Sequence, residues 1–280
     1  MIKPAAPVAV LHLAVALFGF AGLFGQWLAL PPAVIVLGRT LVAASVLVIV
    51  AIMQRSAWRP ERGLAVNGVI LALHWTAFFH AVQLAGVAIA LLGYATFPLF
   101  VLVLERLLLG RRWTRTEAGT ALLAVSGLFV LVPSFDVADA TLRGLGWGVL
   151  AGFTFALLAV RGRRFALAHE AIVIALWQNA FAALVLVPLV WIGWDAIAPL
   201  SGRDLALIAL LGIACTAWAH TLFIASLRRL SAHTASVVAA LEPVYGIAFA
   251  AWLLDEVPSP RTLAGAAIII GAALFASRRA

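Results

Sequence analysis

Two ionisable side chains of this sequence lie deep inside long apolar stretches. Glu242 is the only carboxylate near the centre of such a stretch, and Arg39 is the other charge within one. An ionised group in apolar surroundings costs several kcal/mol, so each must meet water, a partner or a ligand. A carboxylate binds a cationic amine or carries a proton, whereas a guanidinium binds a carboxylate in a two-pronged geometry.

Structural roles compete with these chemical ones. Glu242 could hold a helix in place through an ion pair. Arg39 could pair with Glu242, or it could extend its guanidinium to the nearest aqueous surface. The two charges therefore define a candidate binding site without fixing its task.

Neutral polar groups accompany the charges. His74 and His220 occupy corresponding apolar segments, where an imidazole could relay protons or form a hydrogen bond between helices. Gln178 and Asn179 add amide donors and acceptors, which usually face the interior of a helix bundle. The histidines have neither HExxH spacing nor a cluster of further ligands, so the sequence predicts no metal and no cofactor.

A repeat with an offset of 145 positions relates two segments, and each copy carries one proline inside an apolar run, Pro98 and Pro243. Proline lacks an N–H and clashes with the carbonyl four residues back, so we expect both prolines to bend their helices and free carbonyls near Tyr94 and Ala239. Such carbonyls could accept hydrogen bonds from an ammonium group. A simple packing kink is the alternative.

The composition excludes a soluble fold. Of the 280 residues, 65% are hydrophobic and 11% are charged, which leaves too few polar side chains to cover a globule. The net charge of +8 lies in short segments between apolar runs, which indicates membrane topology and no nucleic-acid partner. We predict an all-α integral membrane protein with ten transmembrane helices. They are approximately Val8–Trp27, Pro32–Met53, Gly63–Ala85, Val87–Leu109, Thr114–Val132, Leu145–Arg161, Ala171–Ile192, Asp204–Leu227, Ala232–Leu254 and Thr262–Ala276.

Basic residues predict how the chain crosses the membrane. Most arginines and the one lysine lie at one set of segment ends, and the other ends hold only Arg143, Arg203 and Arg261. By the positive-inside rule both termini are then cytoplasmic. Five spans precede the linker and five follow it, so the second copy is inverted relative to the first. The predicted repeats are residues 1–132 and 144–280, joined by a periplasmic linker at 133–143.

Aromatic residues fall into two sets. Tryptophans at span ends are typical of an interfacial belt: Trp58, Trp113, Trp191 and Trp194. Others lie deeper and could line an apolar pocket, although facing lipid is the alternative for each. This deeper set comprises Trp75, Phe78, Phe79, Tyr94, Trp177, Trp218 and Tyr245.

The ten spans, the small residues before a proline in the fourth and ninth spans, and the charged boundary after each resemble the EamA-type branch of the drug/metabolite transporter superfamily. Within it the aromatic-rich character is similar to aromatic amino-acid exporters of the YddG type. The sequence departs from the family at Arg111, which follows Gly110 where members usually carry glutamate. Glu256 keeps that acidity in the second half.

The resemblance implies a secondary transporter that exports small amphipathic metabolites, with aromatic or neutral amino acids as the leading substrate class. Its partners are then a small molecule and the lipid bilayer of a bacterial inner membrane, and proton coupling stays open beside facilitated transport. The two repeats are expected to rock around a central cavity. Alternatives are a drug or lipophilic-cation exporter, a channel, a scaffold and, least supported by motifs, an intramembrane enzyme.

Overall fold

The computed structural model describes residues 7–56, 59, 61–110, 114–131, 136, 138–193, 197, 199–228, 238–239 and 241–277. This part of the chain is helical and contains no strand. Its helices are α1 (Pro7–Ala21), α2 (Phe24–Trp27), α3 (Pro32–Met53), α4 (Arg62–Tyr94), α5 (Phe97–Leu109), α6 (Arg115–Leu131), α7 (Ala140–Ala168), α8 (Ala171–Ile192), α9 (Gly202–Gly212), α10 (Ala219–Leu227), α11 (Glu242–Leu253) and α12 (Pro260–Ser277).

Six helical stretches in the described chain are long and apolar enough to cross a membrane. The stretch from residue 202 to 226 includes a π-helical segment, Ile213–Trp218, between α9 and α10. Two predicted spans, Pro32–Met53 and Ala171–Ile192, have the same bounds as α3 and α8. The shorter helices α5, α6 and α11 lie within three of the remaining predicted spans, and α12 extends beyond both ends of the predicted tenth span.

The predicted boundary between the third and fourth spans falls at Gly86, where the backbone leaves the helical region with a φ of 83° and a ψ of 170°. α4 continues beyond this break and ends at Tyr94. The next helix begins at Phe97 with Pro98 as its second residue. A proline fits there because the first turn of a helix needs no N–H donor, so the chain ends one helix and begins another where we expected one bent helix.

Pro243 has the same position in α11, which begins at Glu242. Both prolines therefore mark helix starts. Leu241 precedes α11 in a turn and accepts bonds from the N–H groups of Val244 and Tyr245. Ala240, one of the residues of the sequence repeat, lies outside the described residues, as do Trp58, Trp113, Trp194 and Arg111.

α7 is longer than predicted and begins inside the predicted linker. The Asp139 side chain accepts a bond of 2.7 Å from the Thr141 N–H and so caps the helix at Ala140. Glycines then allow α7 to lie against α4, because a methyl group at Gly148 would be 2.8 Å from the Ala90 carbonyl oxygen. Close packing thus offsets the weak helix propensity of glycine.

The helices of the two sequence halves interleave. α4 and α5 pack on α7, α1 packs on α10 and α11, α3 packs on α8, and α6 packs on α12. We call the first set the α4 group (α4, α5 and α7), the second the α1 group (α1, α10 and α11), and the third the α3–α8 pair. Because most of these contacts join the two halves, a rigid movement of one sequence half against the other would break them.

Candidate functional site

A cavity lies where the α4 group, the α1 group and the α3–α8 pair meet. Its volume is about 90 Å³, which is room for several water molecules. Eight of the residues singled out in the sequence line it: Arg39, His74, Trp75, Phe78, Tyr94, Gln178, His220 and Glu242. The cavity therefore brings both buried charges and both histidines to one place.

Glu242 reaches the cavity because of the helix start at Pro243. As the first residue of α11, it is 7% exposed, and it places a carboxylate at the positive end of a helix dipole. The hydroxyl of Tyr94, the last residue of α4, lies beside this carboxylate. Two helix ends, one from the α4 group and one from the α1 group, thus bring a phenol and a carboxylate together.

Arg39 lies on α3 and is 2% exposed, so its guanidinium stays inside the bundle. Its Nε donates to the Thr216 hydroxyl at 2.9 Å and an Nη donates to the Cys215 carbonyl at 3.3 Å. The guanidinium carbon is 4.0 Å from the ring centroid of Trp75, in a cation–π contact. Arg39 and Glu242 do not form an ion pair with each other.

The acceptors for Arg39 come from the π-helical segment. The Thr216 hydroxyl donates to the Leu211 carbonyl at 2.8 Å, five residues back, while its oxygen accepts from Arg39. Single π-helical turns often occur at functional sites. Sequence reasoning missed this segment, because nothing in an apolar run distinguishes a π-turn from an α-turn.

The two histidines make different contacts. His74 Nδ1 is 2.9 Å from the Ala151 carbonyl oxygen, which can only accept, so this nitrogen carries a hydrogen. When the ring is neutral, its Nε2 presents a lone pair. In the described part of the chain His220 Nδ1 has no hydrogen-bond partner, and the ring lies edge-on to Trp75 with centroids 5.9 Å apart. Both rings can bind a polar ligand group.

Three of the other predicted residues lie next to cavity residues without lining the cavity; Phe79 and Asn179 are buried and Trp177 is partly buried. Phe79 lies behind Arg39, with its ring centroid 5.5 Å from the guanidinium carbon. Trp177 packs on Phe181, and the Asn179 amide donates to the Ala175 carbonyl of its own helix at 2.8 Å.

The remaining predicted residues lie farther from the cavity wall. Trp218 is 54% exposed and faces outward from the bundle. Tyr245 bonds to His12 at 2.8 Å, which joins α11 to α1. Pro98 and Pro243 act through the helix starts that they set.

The apolar wall contains residues that the sequence analysis did not single out. Phe18, Phe155 and Phe223 come from α1, α7 and α10, and the ring centroids of Phe155 and Phe223 are 6.0 Å apart. Near the end of α7 the wall continues to Gly162 and Ala166. Since these helices are apolar on all sides, no sequence signal separates their cavity faces from their lipid faces.

Comparison with known proteins identifies a family whose sequence pattern this chain matches. The sequence pattern of the EamA-like transporter family matches over residues 6–132 and 142–278. The chain is 29% identical over 257 residues to the pseudopaline exporter CntI of Pseudomonas aeruginosa strain UCBPP-PA14, covering 89% of this chain and 87% of that protein. The same exporter from strain PAO1 matches with equal identity and coverage.

A solved crystal structure of a protein 21% identical in sequence resembles this chain with a TM-score of 0.71 and covers 98% of both chains, which shows a shared fold. With the family match and the long apolar helices, the chain is a multi-pass protein of the inner membrane. The resemblance predicted from the spans and the proline repeat is confirmed. The protein belongs to the EamA-like transporter family of the drug/metabolite transporter superfamily.

Proposed function

We propose that the protein exports small zwitterionic metabolites, with aromatic and neutral amino acids as the leading class, by alternating access around this cavity. One observation carries the proposal: Arg39 and Glu242 line the same cavity without pairing with each other. Buried charges in a membrane are costly unless they serve a partner or a ligand. A ligand with one carboxylate and one ammonium would satisfy both.

The bonding capacity of Arg39 supports the carboxylate end. A guanidinium has five N–H groups, and the contacts with Thr216 and Cys215 use two of them. The stacked Trp75 ring holds the planar group in one orientation, so the remaining N–H groups have a defined direction. Ordered, desolvated donors bind a carboxylate more strongly than mobile, hydrated ones.

Glu242 supports the ammonium end. The carboxylate contacts the Tyr94 hydroxyl, and the aromatic rings of Phe78 and Phe155 lie on the same wall. An ammonium could replace the hydroxyl, while an aromatic or aliphatic side chain would pack against the rings. Because the Tyr94–Glu242 contact joins the α4 and α1 groups, substrate binding there would change how the two groups are held together.

The proposal includes a membrane topology: ten spans, two repeats that are inverted relative to each other, and cytoplasmic termini. The family pattern matches two ranges, each covering about one predicted repeat, which supports the division into repeats. The distribution of arginine supports the orientation. On this orientation the cavity extends toward the cytoplasmic end of α7, where Gly162 and Ala166 lie beside Arg161 and Arg164. The moving units would be the interleaved helix groups.

The name of the relative supports the direction of transport, since CntI is a pseudopaline exporter. A lipophilic-cation exporter is a second candidate, favoured by the position of Glu242 among aromatic rings. The two candidates differ in their need for Arg39, which a cation without a carboxylate would not use.

Flux in proteoliposomes tests the substrate class. Purified protein would be assayed with a panel of amino acids, their decarboxylated amines and lipophilic cations, with and without a pH gradient. We expect amino-acid flux that falls when either charge is neutralised. A panel in which only lipophilic cations move would reject the zwitterion and support the second candidate, and a gradient that does not change accumulation would support facilitated transport.

A further inference from the structure

Glu256 makes a polar contact outside the cavity lining. It follows α11 in the loop before α12, and its two carboxylate oxygens each accept a bond of 3.1 Å, from the N–H groups of Val87 and Ala88. The loop is itself ordered, because Asp255 adopts a left-handed φ of 54° and the Glu256 N–H donates to the Ala250 carbonyl at 3.2 Å. The carboxylate is thus held against α4 by the end of α11.

The partner surface is formed by Gly86. Its φ of 83° interrupts α4 and turns the next two N–H groups outward, where a carboxylate can satisfy both. The space beside Gly86 is filled by the glutamate, since a methyl group there would lie 2.6 Å from a Glu256 oxygen. Both the left-handed backbone and the lack of a side chain are therefore needed for the contact.

The Glu256 contact joins the two helix groups at one end of the bundle. Glu256 follows α11 of the α1 group, and Val87 belongs to the α4 group. Gly144 of α7 packs beside Ala85, so α7 begins at this same end. Gly162, on the cavity wall, is 18 residues further along α7, or about 27 Å at the rise of an α-helix. The Glu256 contact and the part of the cavity wall at Gly162 therefore lie toward opposite ends of α7.

At the opposite end of the bundle, two polar contacts join helices within one group and do not join the α1 group to the α4 group. Glu61 and His169, 2.8 Å apart, join the start of α4 to the end of α7, within the α4 group. The Ser56 hydroxyl donates to Glu170 at 2.6 Å, within the α3–α8 pair. These contacts can persist while the α1 and α4 groups separate, whereas the Glu256 contact cannot.

The sequence repeat makes this difference intrinsic to the chain. At the offset of 145 positions, the counterpart of Glu256 in the first half is Arg111. A guanidinium cannot accept bonds from backbone N–H groups. The sequence therefore supplies the carboxylate of this contact in the second half and no carboxylate at the counterpart position of the first half.

We propose that Glu256 is a positioning residue for transport, which holds the outer end of the cavity closed until the α1 and α4 groups separate. The inference rests on the proposed alternating access, and it adds a residue outside the binding site that sets the balance between the two states. Loss of the contact should favour the outward-open state, because two bonds to a charged acceptor disappear from the closed state alone.

Accessibility of a buried cysteine tests this proposal without any substrate. The only native cysteine, Cys215, would first be replaced in a Cys215→Ala background. Ala250 of α11 is fully buried and shares a cluster with Val87, so Ala250→Cys should react slowly with a hydrophilic maleimide in nanodiscs. We expect Glu256→Ala to raise the labelling rate about ten-fold. Glu256→Gln, which keeps one acceptor oxygen, should raise it less.

Asp255→Asn is the matched control. It removes a charge from the adjacent residue, which is exposed, and asparagine tolerates the left-handed backbone. Its labelling rate should equal that of the parent. Gly86→Ala should accelerate labelling by a larger factor where Glu256 is present than in the Glu256→Ala background, because only the backbone strain at the positive φ remains when the added methyl group meets no carboxylate.

An unchanged labelling rate in a folded, monodisperse Glu256→Ala protein would overturn the proposal. If Ala250→Cys does not fold, the same comparison at Ala90, buried in the same cluster, decides the question. The two proposals can fail separately. If the labelling rate depends on Glu256 but no amino acid is transported, only the proposed substrate is rejected. If amino acids are transported but the labelling rate does not depend on Glu256, only the role of Glu256 is rejected.

Discussion

The Tyr94 hydroxyl lies beside the Glu242 carboxylate at the point where α4 ends and α11 begins. Tyr94 ends its helix four residues before Pro98, and Glu242 begins its helix one residue before Pro243. The repeat thus places a phenol and an acid opposite each other, although the counterpart of Glu242 in the first half is Phe97. The two repeats therefore share a backbone arrangement, whereas the side chains that they place at the site differ.

Tyr94→Phe should lower the melting temperature of the ligand-free protein and enlarge the stabilisation that a substrate provides. The hydroxyl is lost while the ring keeps its stacking on Phe97, whose centroid is 5.4 Å away. A full hydrogen bond to a charged group is worth about 1.5–3 kcal/mol, which is the upper limit of the expected loss. Thermal unfolding in nanodiscs, with and without amino acid, measures both effects.

Tyr245→Phe is the control for that experiment, because its hydroxyl bonds to His12 and does not face the cavity. It should lower the melting temperature without changing the stabilisation by substrate. Equal substrate effects in the two variants would show that Tyr94 does not compete with the ligand for Glu242.

Arg39→Lys should weaken transport of amino acids about ten-fold or more while leaving decarboxylated amines nearly unaffected. Lysine keeps the charge and loses the planar fork, the stacking on Trp75 and the bond to Thr216. Competition assays with matched pairs of amino acid and amine measure the ratio. Parallel losses for both members of each pair would assign Arg39 to structure alone.

Thr216→Val should destabilise the protein by about 1–3 kcal/mol, since the Arg39 Nε would lose its acceptor in a buried site. Thr221→Val is the matched change on α10, where the hydroxyl donates to the Ala217 carbonyl four residues back and accepts no bond from Arg39 among the described residues. Denaturant or thermal unfolding of both variants should show the larger loss at Thr216. Similar losses would mean that the π-helical segment does not hold Arg39.

Gly148→Ala should lower stability by about 1–3 kcal/mol, because the added methyl group would lie 2.8 Å from the Ala90 carbonyl oxygen. Gly146→Ala, two residues away on α7, meets nothing within 4 Å and should be neutral or slightly stabilising through helix propensity. Comparing the melting temperatures of the two variants tests the packing of α7 on α4. An equal change in both would contradict it.

The parts of the fold that the sequence predicted well are those with clear polar or proline boundaries. α3 starts at Pro32 and α8 follows Glu170, so their bounds matched. The break in α4 lies at Gly86, where the sequence predicts a span boundary, whereas Pro98 lies at a helix start where a bend within one helix was expected. Helix starts at proline and bends at proline leave the same sequence pattern.

The candidate site was partly predictable for a physical reason. A charge inside an apolar run is costly, so Glu242 and Arg39 stand out from sequence, and both line the cavity. Aromatic residues carry no such signal in lipid, because Trp218 faces outward and Phe155 faces inward from equally apolar segments. Contacts between distant elements, such as Glu256 with Val87, required the packed structure.

The most direct test of the account is the exchange of a labelled aromatic amino acid by purified protein in proteoliposomes. The exchange rate would be compared among the parent protein, Glu242→Gln and Arg39→Gln, and Trp218→Phe serves as an outward-facing control. The account predicts exchange in the parent and the control, and loss of about ten-fold or more in each charge variant. Exchange that persists at the parent rate in both charge variants would contradict the central claim that the two unpaired charges bind the substrate.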